Sequence, residues 1–393
     1  MKNGGEMLLL KNGEVHTPDK VKKNCDILID KGKIVKVSLN IKAKDAKVID
    51  VSKKIVIPGL IDAHSHVGIY EEAIGVPGAD GNEMTDPVTP HLRAIDAINP
   101  VDLGFKDAYM GGITSLMTGP GSGNVIGGQN LIVKTAGSPI IDDRVVLDPA
   151  GMKMALGENP KNVYSEQKKS PSTRMANASL IREALKKTKE YIAKKEDKDD
   201  KENKGPEFDA KLEALSKVIK KEIPIRGHAH RADDIATFIR IRDEFGVNLV
   251  IEHGTESHLI VDFIAKKSVP IVVGPSLSAR VKVELKEITF KTPKILYENG
   301  ILFAIMTDAP VLPINSLPLM VGYSIKEGIP WEEGLKAVTS NAAKICGVSD
   351  RIGRIKKGMD ADIAVFEGDP FSIKGRCTLT IVDGRVVNNQ CKE

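Results

Sequence analysis

Pro58-Gly59-Leu60-Ile61-Asp62-Ala63-His64-Ser65-His66 closes an apolar run that begins at Ile55. Two histidines separated by one residue stand at its end. Side chains alternate faces along a strand, so residues i and i+2 point the same way. His64 and His66 are therefore expected to project together from the end of a buried strand, where two imidazoles can share one metal ion. The pair alone is equally compatible with a hydrogen-bonded polar patch, because imidazole finds such partners readily. What decides between the two readings is what recurs downstream.

Four further apolar runs end in groups that suit a metal. Ile225-Arg226-Gly227-His228-Ala229-His230 supplies a second HxH. Val250-Ile251-Glu252-His253-Gly254 ends in a histidine, and Ile305-Met306-Thr307-Asp308-Ala309-Pro310 in an aspartate. Ala150-Gly151-Met152-Lys153-Met154-Ala155 carries a lysine inside an apolar strand, with Glu158 just beyond. Taken singly, a strand-end histidine is a structural hydrogen-bonding residue, Asp308 a helix cap and Lys153 a snorkelling side chain. Taken together, they place five of eight histidines at predicted strand ends. Parallel-barrel strands converge their C-terminal ends on one face, and neutral imidazoles with a carboxylate suit zinc and similar divalent ions.

The runs Ile223–His228, Asn248–His253, Val269–Gly274 and Ile301–Asp308 alternate with helical stretches such as Arg231–Phe245 and Ser257–Lys267. Units of roughly 20 to 30 residues fit βα repeats and a parallel sheet, and residues 58–345 are long enough for an eight-stranded barrel of about 250 residues. The ends differ in texture. Met7–Leu10, Asp26–Asp30, Ile34–Val37 and Val48–Asp50 read as short strands, as do Ala361–Phe366 and Leu379–Val382, with Asp383-Gly384 as a hairpin turn. Both termini are expected to build one small β domain. The fold expected is thus α/β, with room for an eight-stranded barrel over residues 58–345 and one small β domain from residues 1–57 and 346–393. A segment at 161–222 interrupts the rhythm. It holds the helical stretches Ser172–Lys195 and Asp209–Glu222, and the mixed-charge run Lys194–Lys204 between them reads as a solvated loop.

Composition narrows the function classes. The 393 residues are 41% hydrophobic and 4% aromatic, with a net charge of +4 not gathered into a basic face. Nucleic-acid and membrane partners therefore gain little support, and a small-molecule substrate is expected. Cys25, Cys346, Cys377 and Cys391 form no CxxC, so neither a disulfide scaffold nor a structural zinc site is indicated. The apolar run Met7–Leu10 is too short for a signal peptide or a membrane span, and a cytoplasmic location is expected.

These motifs, with Thr339-Ser340-Asn341-Ala342-Ala343-Lys344 and the stretch from Gly353 to Asp362, resemble the amidohydrolase superfamily. Within it the chain is similar to the branch of imidazolonepropionase-like proteins and Xaa-Pro dipeptidases, over all but the 161–222 segment. The resemblance implies a (β/α)8 TIM barrel with a small β-sandwich formed by both termini, and relatives that commonly form homo-oligomers. It implies His64, His66, His228, His253 and Asp308 as ligands of one or two divalent ions, zinc first, with iron or manganese as alternatives. His230 is implied as a residue contacting substrate. In binuclear relatives a lysine on the fourth strand becomes a carbamate bridging two metals; Lys153 stands there, with Glu158 as the alternative carboxylate. The implied chemistry is hydrolysis of an amide or cyclic amide C–N bond by activated water, with Asp308 as general base and then acid. Two rivals stay open: deamination of a ring amine at a single metal, and a barrel that has lost its chemistry. Gly119 to Gln129 fails as a phosphate loop, because Gln129 replaces the required lysine, and is read as a loop at the pocket rim.

Overall fold

A computed structural model describes residues 6–17, 20–197 and 205–390. Cys391 and positions 198–204 of the predicted charged loop lie outside the described residues.

Five strands come first: β1 (Leu8–His16), β2 (Val21–Asp30), β3 (Lys33–Ser38), β4 (Lys47–Asp50) and β5 (Ile55–Pro58). Eight follow in the middle: β6 (Leu60–Ser65), β7 (Ile113–Thr118), β8 (Ile126–Lys134), β9 (Val145–Ala155), β10 (Ile225–Ala229), β11 (Leu249–His253), β12 (Ile271–Val273) and β13 (Phe303–Ile305). Three close the chain: β14 (Ile363–Glu367), β15 (Arg376–Val382) and β16 (Arg385–Asn389).

The outer strands form one sheet in the order β16-β15-β14-β5-β1-β2-β3, with β4 beside β1. The termini meet where β14 runs antiparallel to β5, Ile363 opposite Pro58. This is a single continuous sheet, where the terminal segments had been expected to form a sandwich. Its two halves share a core: Leu10, Val15, Ile27 and Val56 pack with Ile363, Val365, Leu379 and Ile381.

The middle strands form a second sheet in the order β13-β12-β11-β10-β9-β8-β7-β6. Asp62 Oδ2 on β6 accepts hydrogen bonds from Thr307 N at 3.2 Å and Oγ1 at 2.5 Å, just past β13, so the sheet nearly closes into a barrel. It is not wholly parallel. β8 runs antiparallel to both β7 and β9. The reason is chain length: a parallel crossover needs a dozen or more residues, and neither the stretch from Thr118 to Ile126 nor that from Lys134 to Val145 supplies them. The strand can only turn back.

Helices cover the barrel: α1 (Leu103–Met110) before β7; α2 (Glu158–Glu166), α3 (Arg174–Glu196) and α4 (Ala210–Ile219) between β9 and β10; α5 (Ala232–Phe245), α6 (Val261–Lys267) and α7 (Thr292–Glu298) in the later crossovers; and α8 (Leu317–Lys326), α9 (Trp331–Ala337) and α10 (Ser340–Ile345) after β13. Local chemistry sets their ends. Thr173 Oγ1 accepts from Ala176 N, and the Asp209 side chain from Lys211 N and Leu212 N. Gly246, at φ +68°, ends α5. The charged run is helical as far as Glu196, where a solvated loop had been expected. Lys195 pairs with Glu213, and Glu196 with Lys220 at 3.0 Å, so these charges fasten α3 to α4. Among the described residues no helix is long and apolar enough to cross a membrane.

Candidate active site

The C-terminal ends of the barrel strands bring the sequence-predicted residues together. β6 carries His64, with His66 one residue past its end; β10 carries His228 and β11 His253; Asp308 lies beyond β13 and Lys153 within β9. β6 is irregular, with register shifts between Leu60 and Ile61 and between Asp62 and Ser65. Simple alternation therefore does not describe it. Even so, His64 Nε2 and His66 Nε2 each lie 3.2 Å from Asp308 Oδ1. Lys153 Nζ is 3.4 Å from His64 Nε2. The rings of His228 and His253 are 4.3 Å apart, and His230 stands 4.4 Å from His253. Two groups of candidate ligand atoms result, one from His228, His230 and His253, the other from His64, His253 and Asp308.

The imidazoles are oriented from behind. His66 Nδ1–H donates to Gly119 O at 2.8 Å, and His253 Nδ1–H to Gly274 O at 3.0 Å. His64 Nδ1 sits 2.8 Å from Glu252 Oε2, and His230 Nδ1 2.8 Å from Thr255 Oγ1. A proton fixed on Nδ1 leaves the Nε2 lone pair for the opposite side, the arrangement seen behind metal-ligating histidines. His228, His230 and His253 have pKa values well below the ordinary range, chiefly because burial disfavours the charged ring. They are neutral donors. Asp308 goes the other way: burial opposes ionisation, but His253, His64 and His66 overcome it and hold the carboxyl well below its usual range. Burial brings Lys153 down to about 8, so its amine is accessible near neutral pH. The residues present therefore fit a divalent cation, with neutral imidazoles at His228, His230 and His253 and one ionised carboxylate facing a common space; at His64 burial and Lys153 oppose the charged ring, but Glu252 and Asp308 raise its pKa.

Two site residues hold left-handed backbone, His253 at φ +70° and Asp308 at φ +56°. Such conformations are uncommon away from glycine and cluster at functional sites. Glu158 is not with this group. It begins α2 and its amide donates to Glu284 Oε1 at 2.7 Å. Asp308 caps no helix, since α8 begins only at Leu317. His258 lies apart, Nδ1 3.1 Å from Thr292 Oγ1.

Several functional neighbours were not found by sequence reasoning. Arg226 and Glu252, both fully buried, form an ion pair beneath His64. Burial would push Glu252 up, but Arg226 and His64 hold it at about 2. Their positions on β10 and β11 beside His228 and His253 are the only sequence signal. Tyr70, Asn82 and Lys282 come from loops without a motif, and Asn159 from the first turn of α2. A cavity of about 340 Å³ opens over the site, walled by these four, by Gly121 and Ser122 of the glycine-rich stretch, and by Pro275, Val281, Leu285, Pro310 and Val311. Asp308 and Lys282 are the acidic and basic side chains lining it. Asn159 joins centre to wall: Oδ1 accepts from Lys282 Nζ at 3.1 Å, while Nδ2 lies 3.5 Å from His228 Nε2.

The sequence model described as Amidohydrolase family matches residues 55–387. The chain is 46% identical to a solved amidohydrolase from Thermotoga maritima MSB8, with a TM-score of 0.94 over 97% of this chain and 100% of that one. It is 28% identical over 390 residues to amidohydrolase tasK of Hapsidospora irregularis, covering 91% of this chain and 39% of that protein. It thus spans about two-fifths of the length of that curated relative. A beta-aspartyl dipeptidase of Fervidobacterium islandicum AW-1, solved with beta-Asp-Leu dipeptide, shares the fold at 17% identity, with a TM-score of 0.61 over 98% of both chains.

Proposed function

The chain belongs to the amidohydrolase family, and from that premise we propose that it hydrolyses an amide or cyclic amide C–N bond of a small substrate with the help of a divalent metal. The observation that carries this reading is the convergence of His64, His66, His228, His253, Asp308 and Lys153 below one cavity, with His228, His230 and His253 neutral and Asp308 ionised. His64, His66 and Asp308 would hold one ion, and His228 and His253 a second. Lys153, as a carbamate, would be a further ligand. Zinc suits this donor set, with iron or manganese as alternatives. When bound, such an ion supplies Lewis acidity and lowers the pKa of water.

This chain's own residues supply the rest. Asp308, ionised, accepts a proton from the attacking water and later returns it to the leaving nitrogen. His230, held by Thr255, orients the scissile carbonyl. Lys282 favours a substrate with an anionic group, while Val281, Leu285 and Val311 favour an apolar one beside it. The domain limits 1–57, 58–345 and 346–393 belong to the same proposal.

Ring-amine deamination at a single metal is the second reading, favoured only if Lys153 stays an unmodified amine. A screen of small amides and ring amines, run on wild type and Asp308→Asn, tests the proposal. Hydrolysis of an amide that the variant does not turn over is expected. Ammonia release from ring amines alone would replace it with deamination.

A further inference from the structure

The glycine-rich stretch is left without a role by the metal-binding residues. Its neighbours supply one. A Cβ on Gly81 would lie 2.0 Å from Tyr70 Cε2, one on Gly121 2.8 Å from the Asn82 carboxamide and 2.9 Å from the Tyr70 hydroxyl, and one on Gly123 2.9 Å from Asn82. No real side chain tolerates such approaches, so these glycines form a cradle shaped to Tyr70 and Asn82. Within it the hydrogen-bond directions are fixed. Gly123 N–H donates to Asn82 Oδ1 at 2.7 Å, and a backbone amide can only donate. Asn82 therefore presents Nδ2 to Tyr70 and donates to the phenolic oxygen. That carboxamide cannot also accept the Tyr70 proton, which stays available to a ligand. The ring packs edge-on to His66 at 5.5 Å, and the side chain lines the cavity with Asp308, His228 and His230.

We propose that Tyr70 is a catalytic residue whose hydroxyl donates a hydrogen bond to the oxyanion formed during C–N hydrolysis, with Asn82 and the glycines 81, 121 and 123 as its positioning frame. The inference rests on the hydrolase reading above. Water oxygen bonds to the carbonyl carbon, the π pair moves onto the carbonyl oxygen, and Asp308 takes the water proton. Collapse restores the carbonyl, breaks the C–N bond and returns the proton from Asp308 to nitrogen. The Tyr70 proton stays on its oxygen throughout. A preorganised donor of this kind is matched to the tetrahedral state and not to the planar substrate.

The experiment compares N-methylphosphonyl-L-leucine, which is tetrahedral, with N-acetyl-L-leucine, which is planar, by calorimetric binding to metal-loaded wild type, Tyr70→Phe and Asn82→Asp. Tyr70→Phe keeps the ring contact with His66. Asn82→Asp keeps an acceptor for Gly123 but offers Tyr70 a carboxylate oxygen that accepts its hydrogen bond. Wild type is expected to prefer the phosphonate. Both variants should lose about 10²- to 10³-fold of phosphonate affinity, the usual effect of deleting one oxyanion donor, with little change for the acetyl compound. Equal losses for both ligands, no loss, or no phosphonate preference in wild type (binding of neither included) would overturn the proposal. Elemental mass spectrometry on the same samples separates the two ideas. Metal-free wild type sinks the hydrolase reading itself, whereas a full metal complement with unaltered phosphonate binding in Tyr70→Phe sinks only the role of Tyr70.

Discussion

Asp308 is the carboxylate to which the proposed hydrolysis assigns proton transfer. Its Oδ1 lies 3.2 Å from two imidazoles, and the surrounding histidines keep it ionised although it is buried. Asp308→Asn preserves shape and removes the proposed base. The expectation is a loss of turnover of about 10²- to 10⁴-fold, typical of a positioned acid–base group, with protein-bound metal retained; steady-state kinetics beside metal analysis checks it. Lys282 is proposed to act on binding. Its ammonium faces the cavity beside Asn159 and 3.5 Å from Glu284. Charge-assisted hydrogen bonds contribute about 1.5–3 kcal/mol, so Lys282→Met should raise KM for carboxylate-bearing amides by about 10- to 100-fold with a smaller change in kcat. An equal effect on matched uncharged amides would remove Lys282 from substrate recognition. At this scale the sequence was legible where chemistry repeats at strand ends. It was silent on Lys282, Tyr70 and Asn159, because residues outside the strand-end motifs acquire their meaning only from what the fold puts beside them.

At the scale of elements, two buried ion pairs join strands that the sequence shows only as separate apolar runs. Arg226 on β10 and Glu252 on β11 are both fully buried, and Arg226 also donates to Ala63 O on β6 at 2.7 Å. Removing one partner of such a pair leaves an uncompensated charge and costs about 3–5 kcal/mol. Arg226→Met should lower the denaturation midpoint accordingly, and Arg226→Met with Glu252→Gln should recover part of the loss. Lys134 on β8 does similar work between the two sheets, 3.0 Å from Asp360 and 2.9 Å from Asp383, with Asp362 also in contact. Burial opposes its charge, but the three carboxylates outweigh burial and raise its pKa. A raised lysine contributes stability fully present below its ordinary pKa and lost only as pH rises through the folded value. Asp360 is lowered, burial being overcome by Lys134 and Lys33, so its contribution is present above the ordinary carboxylate range and lost on acidification. Lys134→Met should therefore destabilise most around neutral pH, and the gap from wild type should narrow in acid, as urea melts across pH will show. The reversal of β8 also belongs here. Alternation of strand and helix suggested a parallel barrel, and only the short connections around Ile126–Lys134 carried the contrary signal.

For the molecule as a whole, the two-sheet plan was legible because its ends and middle differ in texture: turn-linked hairpins at 7–57 and 361–387, apolar runs with long helical crossovers between. The association of the two termini was expected; that it takes the form of one continuous sheet was not, since the pairing of β14 with β5 joins residues some 300 positions apart and leaves no local trace. The same long-range closure sets the strand ends around one cavity, and the claim that this convergence holds metal is the one on which the account depends. The direct test is elemental mass spectrometry of protein purified without chelators or a metal-affinity column, on wild type and Lys153→Met. The account predicts one or two equivalents of zinc, iron or manganese in wild type and, where two are present, one or fewer in the variant. Wild-type protein that carries no metal and takes none up on reconstitution would contradict it.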